Sequence, residues 1–514
     1  MTDPDAPLTR RAAKEQAARG AAKPAKRAKP SKQPPTAWAD PAGEAPAAPR
    51  SGFAGIVAKH PRTLLGSALG LAFVLLGAGS VVAGVSTGGS ASIAGPTAII
   101  DETVARTAPE TLPEATRLRT CTIKSIASDE RLKTLHASIV NDETGEVLYE
   151  RGGEKPARTA SVLKIFTGAA AISVLGPEYQ LTTTVYEGSA AGSVVLVGRG
   201  DSTLSRLTSG ESVYKGAAKL SDLAAQVVTA YSAKYPEVPI TQLIVDASYW
   251  NPKDNWDKSW ARSDQTNGYQ AEVTALQVDG DRADPTAQTS PRSDDPVGRA
   301  SKAFAQAIAT AAGTPAPAIS SGTAASTITL GEVKSQPVSA LVRMMLDKSD
   351  GAIAESLARV VSIEMGLDGS SSSLQQAIPS AIMALGAELP DVKIVDGSGL
   401  SKYNAVAPTD MANFLRIVRD SDDLKYVYDA LSIAGETGGL KERFTNSPAK
   451  GKVKAKVGRI SSAVTLAGVI KAKDGTVLTF AFFSIREGLP DTAKAAMDEL
   501  TTAVYECGDN LANN

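Results

Sequence analysis

Histidine is nearly missing from this chain: 514 residues hold only His60 and His136, and His60 abuts a long apolar run. A zinc centre built on several imidazoles and an ordinary Ser-His-Asp triad are therefore not readily built. If a serine acts as a nucleophile here, its base is something other than histidine. Cysteine is equally scarce, with Cys121 and Cys507 near the two ends of the presumed soluble part. Outside the cytoplasm they can oxidise to one disulfide, which loop-closure entropy values at about 5 kcal/mol; two unrelated buried thiols are the alternative. Aromatic residues are few as well, 5% against 43% hydrophobic residues in all, yet the length suffices to bury one large core or several smaller ones. There is almost no net charge, −1, but the first sixty or so residues are basic and the rest mildly acidic. That balance argues against nucleic acid as a partner.

What is present divides the chain. Residues 1–62 are rich in Ala, Pro, Lys and Arg and have too few large apolar side chains to offset the entropy of ordering, so they read as a disordered tail. From Leu64 to Val85 about 22 residues carry no charge, and as a helix at about 1.5 Å per residue they span roughly 33 Å, enough to cross a bilayer. Lys59, His60 and Arg62 flank the near side, and no Lys or Arg follows until Arg106. The expectation is a single-pass anchor over 63–85 with the basic tail in the cytoplasm and the bulk of the protein outside. A cleaved signal peptide is the alternative, against which the long basic region and the length of the apolar stretch both argue. Residues 86–115 read as a stalk, and 116–514 as the globular part.

That part opens with a hairpin signal, Ala137–Val140 and Glu146–Tyr149 around Asp142 and Gly145, and closes with a second one, Leu466–Ala472 and Thr476–Ile485 around Asp474-Gly475. A final helix is expected from Asp491 to Cys507. Strands at both ends with helices between them suggest one sheet assembled from distant segments. Residues from about 187 to 330, rich in strands and turns with a helical stretch near Val297–Ala312, look like an insert.

Ser161-Val162-Leu163-Lys164 opens a segment to Leu175 that is apolar nearly all round and stops at Gly176-Pro177, as a buried helix would. Positions i and i+3 share a helix face, so Lys164 lies beside the Ser161 hydroxyl, where burial lowers a lysine's pKa enough to make it a base. Ser-x-x-Lys also occurs at Ser212/Lys215 and Ser447/Lys450, but one follows a Gly-Glu turn and the other precedes Pro448.

The order Thr159-Ala160-Ser161-Val162-Leu163-Lys164, Gly198 to Leu204, Lys348-Ser349-Asp350, Asp396 to Ser401 and Lys456-Val457-Gly458 resembles the D-Ala-D-Ala carboxypeptidase family that includes the class C low-molecular-mass penicillin-binding proteins. The resemblance covers roughly residues 130–505. It implies an α+β fold: a β-lactamase/transpeptidase-like domain with a central antiparallel sheet between helical layers, and inserted material after the first helix. It also implies Ser161 as acylated nucleophile, Lys164 as its base, Ser349 as proton relay and Lys456 as the group attracting the substrate carboxylate. Gly351, Gly458 and Arg459 are further substrate-binding positions by the same resemblance, and backbone N–H groups of Ser161 and Arg459 would form the oxyanion hole. The partners implied are peptidoglycan stem peptides, with β-lactams as inhibitors, and no metal or organic cofactor is required.

Two departures stand out. The family's second motif reads Ser-x-Asn, but here Ser349-Asp350-Gly351 lacks the side-chain amide expected to hold the substrate. The third reads Lys-Thr-Gly, and Val457 replaces the hydroxyl. Each lost hydrogen bond to a charged or developing-charge group costs about 1.5–3 kcal/mol where nothing compensates. The expectation is a retuned carboxypeptidase or endopeptidase, with a non-catalytic wall-binding protein and a β-lactamase-like hydrolase as rivals. Trp250, Trp256 and Trp260 are expected to pack in a core rather than to line a glycan surface.

Overall fold

The computed structural model describes residues 118–513. The expected tail, membrane span and stalk all lie outside the described residues, and among the described residues no helix is long and apolar enough to cross a membrane.

The first hairpin, β1 (Thr134–Asn141) and β2 (Val147–Arg151), does not form a sheet alone. Its β1 pairs antiparallel with β11 (Val477–Ile485), from Thr134 opposite Ile485 to Asn141 opposite Leu478, so the two ends of the domain close on each other. β10 (Ala463–Lys471), β9 (Val453–Ile460) and the two-residue β8 (Ser432–Ile433) complete a six-stranded sheet in the order β2-β1-β11-β10-β9-β8, antiparallel throughout. Successive residues of a strand face opposite ways. Ala481 and Phe483 enter a large helical core, while Phe480 and Phe482 enter a second core on the other face.

Eight helices are used below, numbered in chain order. They are α1 (Lys164–Leu175), α2 (Leu220–Lys234), α3 (Pro296–Ala312), α4 (Val338–Lys348), α5 (Gly351–Glu364), α6 (Leu374–Ala384), α7 (Pro408–Asp420) and α8 (Thr492–Cys507). α1, α4, α5, α6 and α7 pack on one face of the sheet and α8 on the other. α1 is buried all round through Ile172 and ends at Gly176, whose φ of 88° turns the chain out of the helix. Gly168 lets it approach α4 closely: a Cβ there would stand 3.2 Å from Met345 and Val342. Such fully buried apolar side chains contribute roughly 1.5–3 kcal/mol each.

Residues 182–334 hold a second sheet in the order β6-β5-β4-β3-β7, formed by β3 (Thr182–Glu187), β4 (Ser193–Gly198), β5 (Gln242–Asp246), β6 (Ala318–Ser321) and β7 (Thr329–Lys334). β4, β5 and β6 run parallel, which requires crossovers, and α2 and α3 supply them. α3 lies on the helical stretch read from the sequence; α2 lies where strands and turns were expected. Its Leu220, Leu223, Ala224, Val227 and Tyr231 are buried at helical spacing.

Cys121 and Cys507 are disulfide-bonded, 386 positions apart, with Cα atoms 5.5 Å from each other. The three tryptophans belong to the large core: Trp250 and Trp260 are buried, and Trp256 is partly buried beneath the guanidinium of Arg262, 4.2 Å from its ring.

Candidate active site

Ser161 is not on the α-helix itself. It sits in the 3-10 turn Ala160–Leu163 that feeds into α1, while Lys164 is the first residue of the α-helix. The tighter turn places residues three apart nearly in line. Lys164 Nζ is hydrogen-bonded to Ser161 Oγ at 3.1 Å and donates to Ser398 O at 2.6 Å. Lys164 as a whole is 2% exposed. Burial is the main influence on this lysine and lowers its pKa to about 8, against the opposing charges of Asp396, Glu355 and Asp350. The other two Ser-x-x-Lys segments lie in turns: Ser212 Oγ accepts from Tyr214 N at 3.1 Å and Ser447 Oγ bonds Thr502 Oγ1 at 2.8 Å.

Ser349 stands at the junction of α4 and α5, in left-handed backbone (φ 55°, ψ 37°), a conformation that costs a non-glycine residue about 1 kcal/mol or more and is common at functional sites. Lys456 Nζ donates to Ser349 Oγ at 3.0 Å and to Val457 O at 2.8 Å. Lys456 is 1% exposed. Burial first, and then the charge of Lys164, push its pKa well below the usual lysine value, with Asp347 opposing. The charges of Lys164 and Lys456 oppose each other, so the two hydroxyl–lysine pairs are neighbours, with both ammonium groups buried and both hydroxyls partly exposed.

β9 forms the rim. A Cβ on Gly458 would come within 2.8 Å of Ser161 N and 3.0 Å of Ala160 Cβ, and would overlap Thr465 Oγ1. Only glycine permits this approach of strand to turn. β8 covers β9 only at Lys454 and Ala455. Val453 O accepts from Ala434 N on that side, and Lys452 O accepts from Lys471 N on the β10 side, both at 2.9 Å. With the register unbroken to Ile460, the period of two directs the N–H of Arg459 to the uncovered edge. Its side chain pairs on the surface with Asp491 at 2.9 Å. Val457 Cγ2 faces Gly439, where an added Cβ would lie 2.6 Å away.

The turn Asp396–Ser401 belongs to the site, since Ser398 O holds Lys164. The turn is itself held by two buried carboxylates. Glu355 accepts from Gly397 N at 3.1 Å and Ser398 N at 2.8 Å. Asp396 accepts from Gly399 N at 2.7 Å, Ser401 N at 2.6 Å, Asn404 Nδ2 at 2.8 Å and Trp260 Nε1 at 2.8 Å. Burial, followed by Asp396, raises the pKa of Glu355. Gly399 has φ 81°, and a Cβ on it would overlap Ala160 O, so this turn reaches the nucleophile only as glycine. Sequence reasoning missed Glu355 and Trp260. For Glu355 the signal was available, a lone carboxylate in the apolar run from Ala352 to Val361.

Asp350 serves the second motif from behind. Its Oδ1 caps α5 by accepting from Ile353 N at 3.0 Å, and its Oδ2 accepts from Arg282 Nη2 at 2.9 Å and Tyr214 Oη at 3.0 Å. Burial alone would raise this carboxyl, but Arg282 and Arg292 hold its pKa at about 2. At Gly351 the missing Asn leaves no gap, because a Cβ there would overlap Gln270 Oε1.

Comparison with known proteins points to one family. The D-Ala-D-Ala carboxypeptidase 3 (S13) family matches residues 120–292 and 282–504. Carboxypeptidase DacB of Mycolicibacterium smegmatis is 33% identical over 406 residues, 77% of this chain and 86% of that protein. A carboxypeptidase of Mycobacterium tuberculosis is 32% identical over 398 residues, 76% and 84% of the two chains. Among solved structures, penicillin binding protein 4 of Haemophilus influenzae shares the fold, with a TM-score of 0.62 at 19% identity over 74% of this chain and 98% of that one. With the family match spanning most of its length and a relative 33% identical over 77% of it, the chain belongs to the D-Ala-D-Ala carboxypeptidase 3 (S13) family of serine peptidases.

Proposed function

We propose that this protein cleaves the terminal D-Ala-D-Ala bond of peptidoglycan stem peptides through an acyl-enzyme on Ser161, and that β-lactams acylate the same serine. The observation that carries this reading is the contact of the buried Lys164 Nζ with the partly exposed Ser161 Oγ. Neutral Lys164 takes the hydroxyl proton as Ser161 Oγ attacks the D-Ala-D-Ala carbonyl. The N–H groups of Ser161 and Arg459 receive the negative charge on oxygen, each worth ~100- to 1000-fold in rate. Ser349, hydrogen-bonded to Lys456, passes a proton to the leaving amine as the C–N bond breaks and is resupplied with the proton that Lys164 had taken. Neutral Lys164 can then accept a proton from the water that attacks the ester and return it to Ser161 Oγ as the acid leaves. The substrate's terminal carboxylate meets Lys456 and the edge of β9 near Gly458, and its approach restores the charge that burial disfavours on that lysine. Stem-peptide cross-links present a related D-Ala bond, so endopeptidase action falls within the same chemistry.

The site works outside the cytoplasm in this reading, on a chain held to the membrane by residues 63–85. The uncharged span and its basic flank support the anchor, and the Cys121–Cys507 bond supports an oxidising compartment.

Incubating the protein with a fluorescent penicillin and with an acyl-D-Ala-D-Ala peptide tests the reading. The wild type should be labelled and should release D-alanine, whereas Ser161→Ala should do neither, with a loss on the order of a millionfold in turnover. Equal behaviour of the two proteins would support the non-catalytic wall-binding reading that Gly351 and Val457 raise.

A further inference from the structure

Position 351 has no side chain, yet the space beside it is occupied. A Cβ built on Gly351 would overlap Oε1 of Gln270 and lie 3.4 Å from its Cδ and 3.5 Å from Tyr269 O. Gln270 belongs to the inserted segment, just after the short helix Arg262–Thr266, and is 2% exposed. Its main chain is tied down, with its N–H donating to Asp264 O at 3.1 Å. Its Nε2 donates to Ala271 O at 3.0 Å. An amide has one donor end and one acceptor end, so this bond fixes the oxygen as the end at position 351. Among the described residues no donor is hydrogen-bonded to that oxygen.

We infer that Gln270 supplies, from the inserted segment, the side-chain amide that position 351 lacks, and that its Oε1 accepts an N–H of the peptide substrate. A side chain at 351 and a glutamine reaching in at 270 exclude each other. Gly351 is then the residue that admits Gln270, and the altered second motif is a relocation of the amide rather than its loss. The inference rests on the acyl-enzyme reading above and adds one substrate-positioning residue to it.

Steady-state hydrolysis of an acyl-D-Ala-D-Ala peptide, penicillin labelling and thermal melting of the full chain test the inference. Gln270→Met keeps the bulk and removes the amide. It should lower kcat/KM for the peptide about 10- to 100-fold while the melting temperature stays within a few degrees, an effect that packing alone would not produce. Gly351→Asn by itself should lose at least as much, through overlap with Gln270. Joining Gly351→Asn to Gln270→Gly should return kcat/KM to within about tenfold of wild type, far above the product of the single losses. Wild-type kinetics in Gln270→Met would overturn the inference, as would single losses that multiply in the double variant. A wild-type protein that neither takes penicillin nor cleaves peptide would instead defeat the acyl-enzyme reading, and the inference with it.

Discussion

Lys164 and Lys456 show what a chain with almost no histidine does about proton transfer. Burial disfavours the ammonium form of both, and at Lys164 the nearby carboxylates restore only part of it, leaving a pKa of about 8. Below that value the lysine is protonated and cannot accept the serine proton. The second-order rate of penicillin acylation should therefore rise about tenfold per pH unit below 8 and level off above it. Stopped-flow labelling between pH 6 and 9.5 measures this, and a flat profile would remove Lys164 from the role of base. Stability follows the same group with a definite sign. The folded-state pKa lies below the ordinary 10.5, so the unfolded chain holds more protons between about 8 and 10.5 and this lysine's contribution to stability rises with pH across that window. Ser161 and Lys164 were legible in the sequence because their spacing is local. Ser398 O was not, because a backbone carbonyl carries no residue signature.

The helix α5 and the insert meet at Asp350, where one carboxylate caps a helix, fixes the backbone next to Ser349 and pairs with Arg282. Removing Arg282 would leave Asp350 buried and short of its charged partner. Arg282→Met should cost about 3–5 kcal/mol in urea unfolding and should also slow acylation, since Ser349 follows the cap. A change under about 1 kcal/mol would mean that Arg292 alone sustains the carboxylate. The sign is again fixed: with its pKa held at about 2 against an ordinary 3.8, Asp350 stabilises the fold above about pH 4, and that contribution fades as the pH falls toward 2. At this scale the sequence misled at α2. Val227-Val228-Thr229 favours a strand by propensity, while the helical spacing of Leu220, Leu223, Val227 and Tyr231 decided the outcome through burial. The contact of Gln270 with Gly351 was beyond reach, since it joins two segments far apart in the chain, neither of which has a pattern that names the other.

Across the whole domain, the pairing of β1 with β11 was foreshadowed by hairpin signals at both ends, and it brings Cys121 and Cys507 together. The disulfide is not alone there. Cys121 N donates to Asn510 O at 3.0 Å, Ala512 N donates to Cys121 O at 2.8 Å, and Arg119 Nε donates to Asp509 O at 2.9 Å. These contacts hold the native ends in place without the covalent bond, so most of its effect falls on the unfolded chain, which it closes into a loop spanning 386 positions. Cys121→Ser combined with Cys507→Ser should therefore keep the fold and the penicillin acylation rate at 25 °C, yet lose about 2–5 kcal/mol of unfolding free energy. The urea dependence should steepen at the same time, because an unfolded chain freed of the cross-link exposes more surface. A loss of stability with slowed acylation would show instead that the bridge strains or steers the native sheet. That outcome is not expected, because Ser161, Ser349 and Lys456 stand on the turn before α1, the junction of α4 and α5, and β9, whereas the bridge ties the end of α8 to the segment before β1.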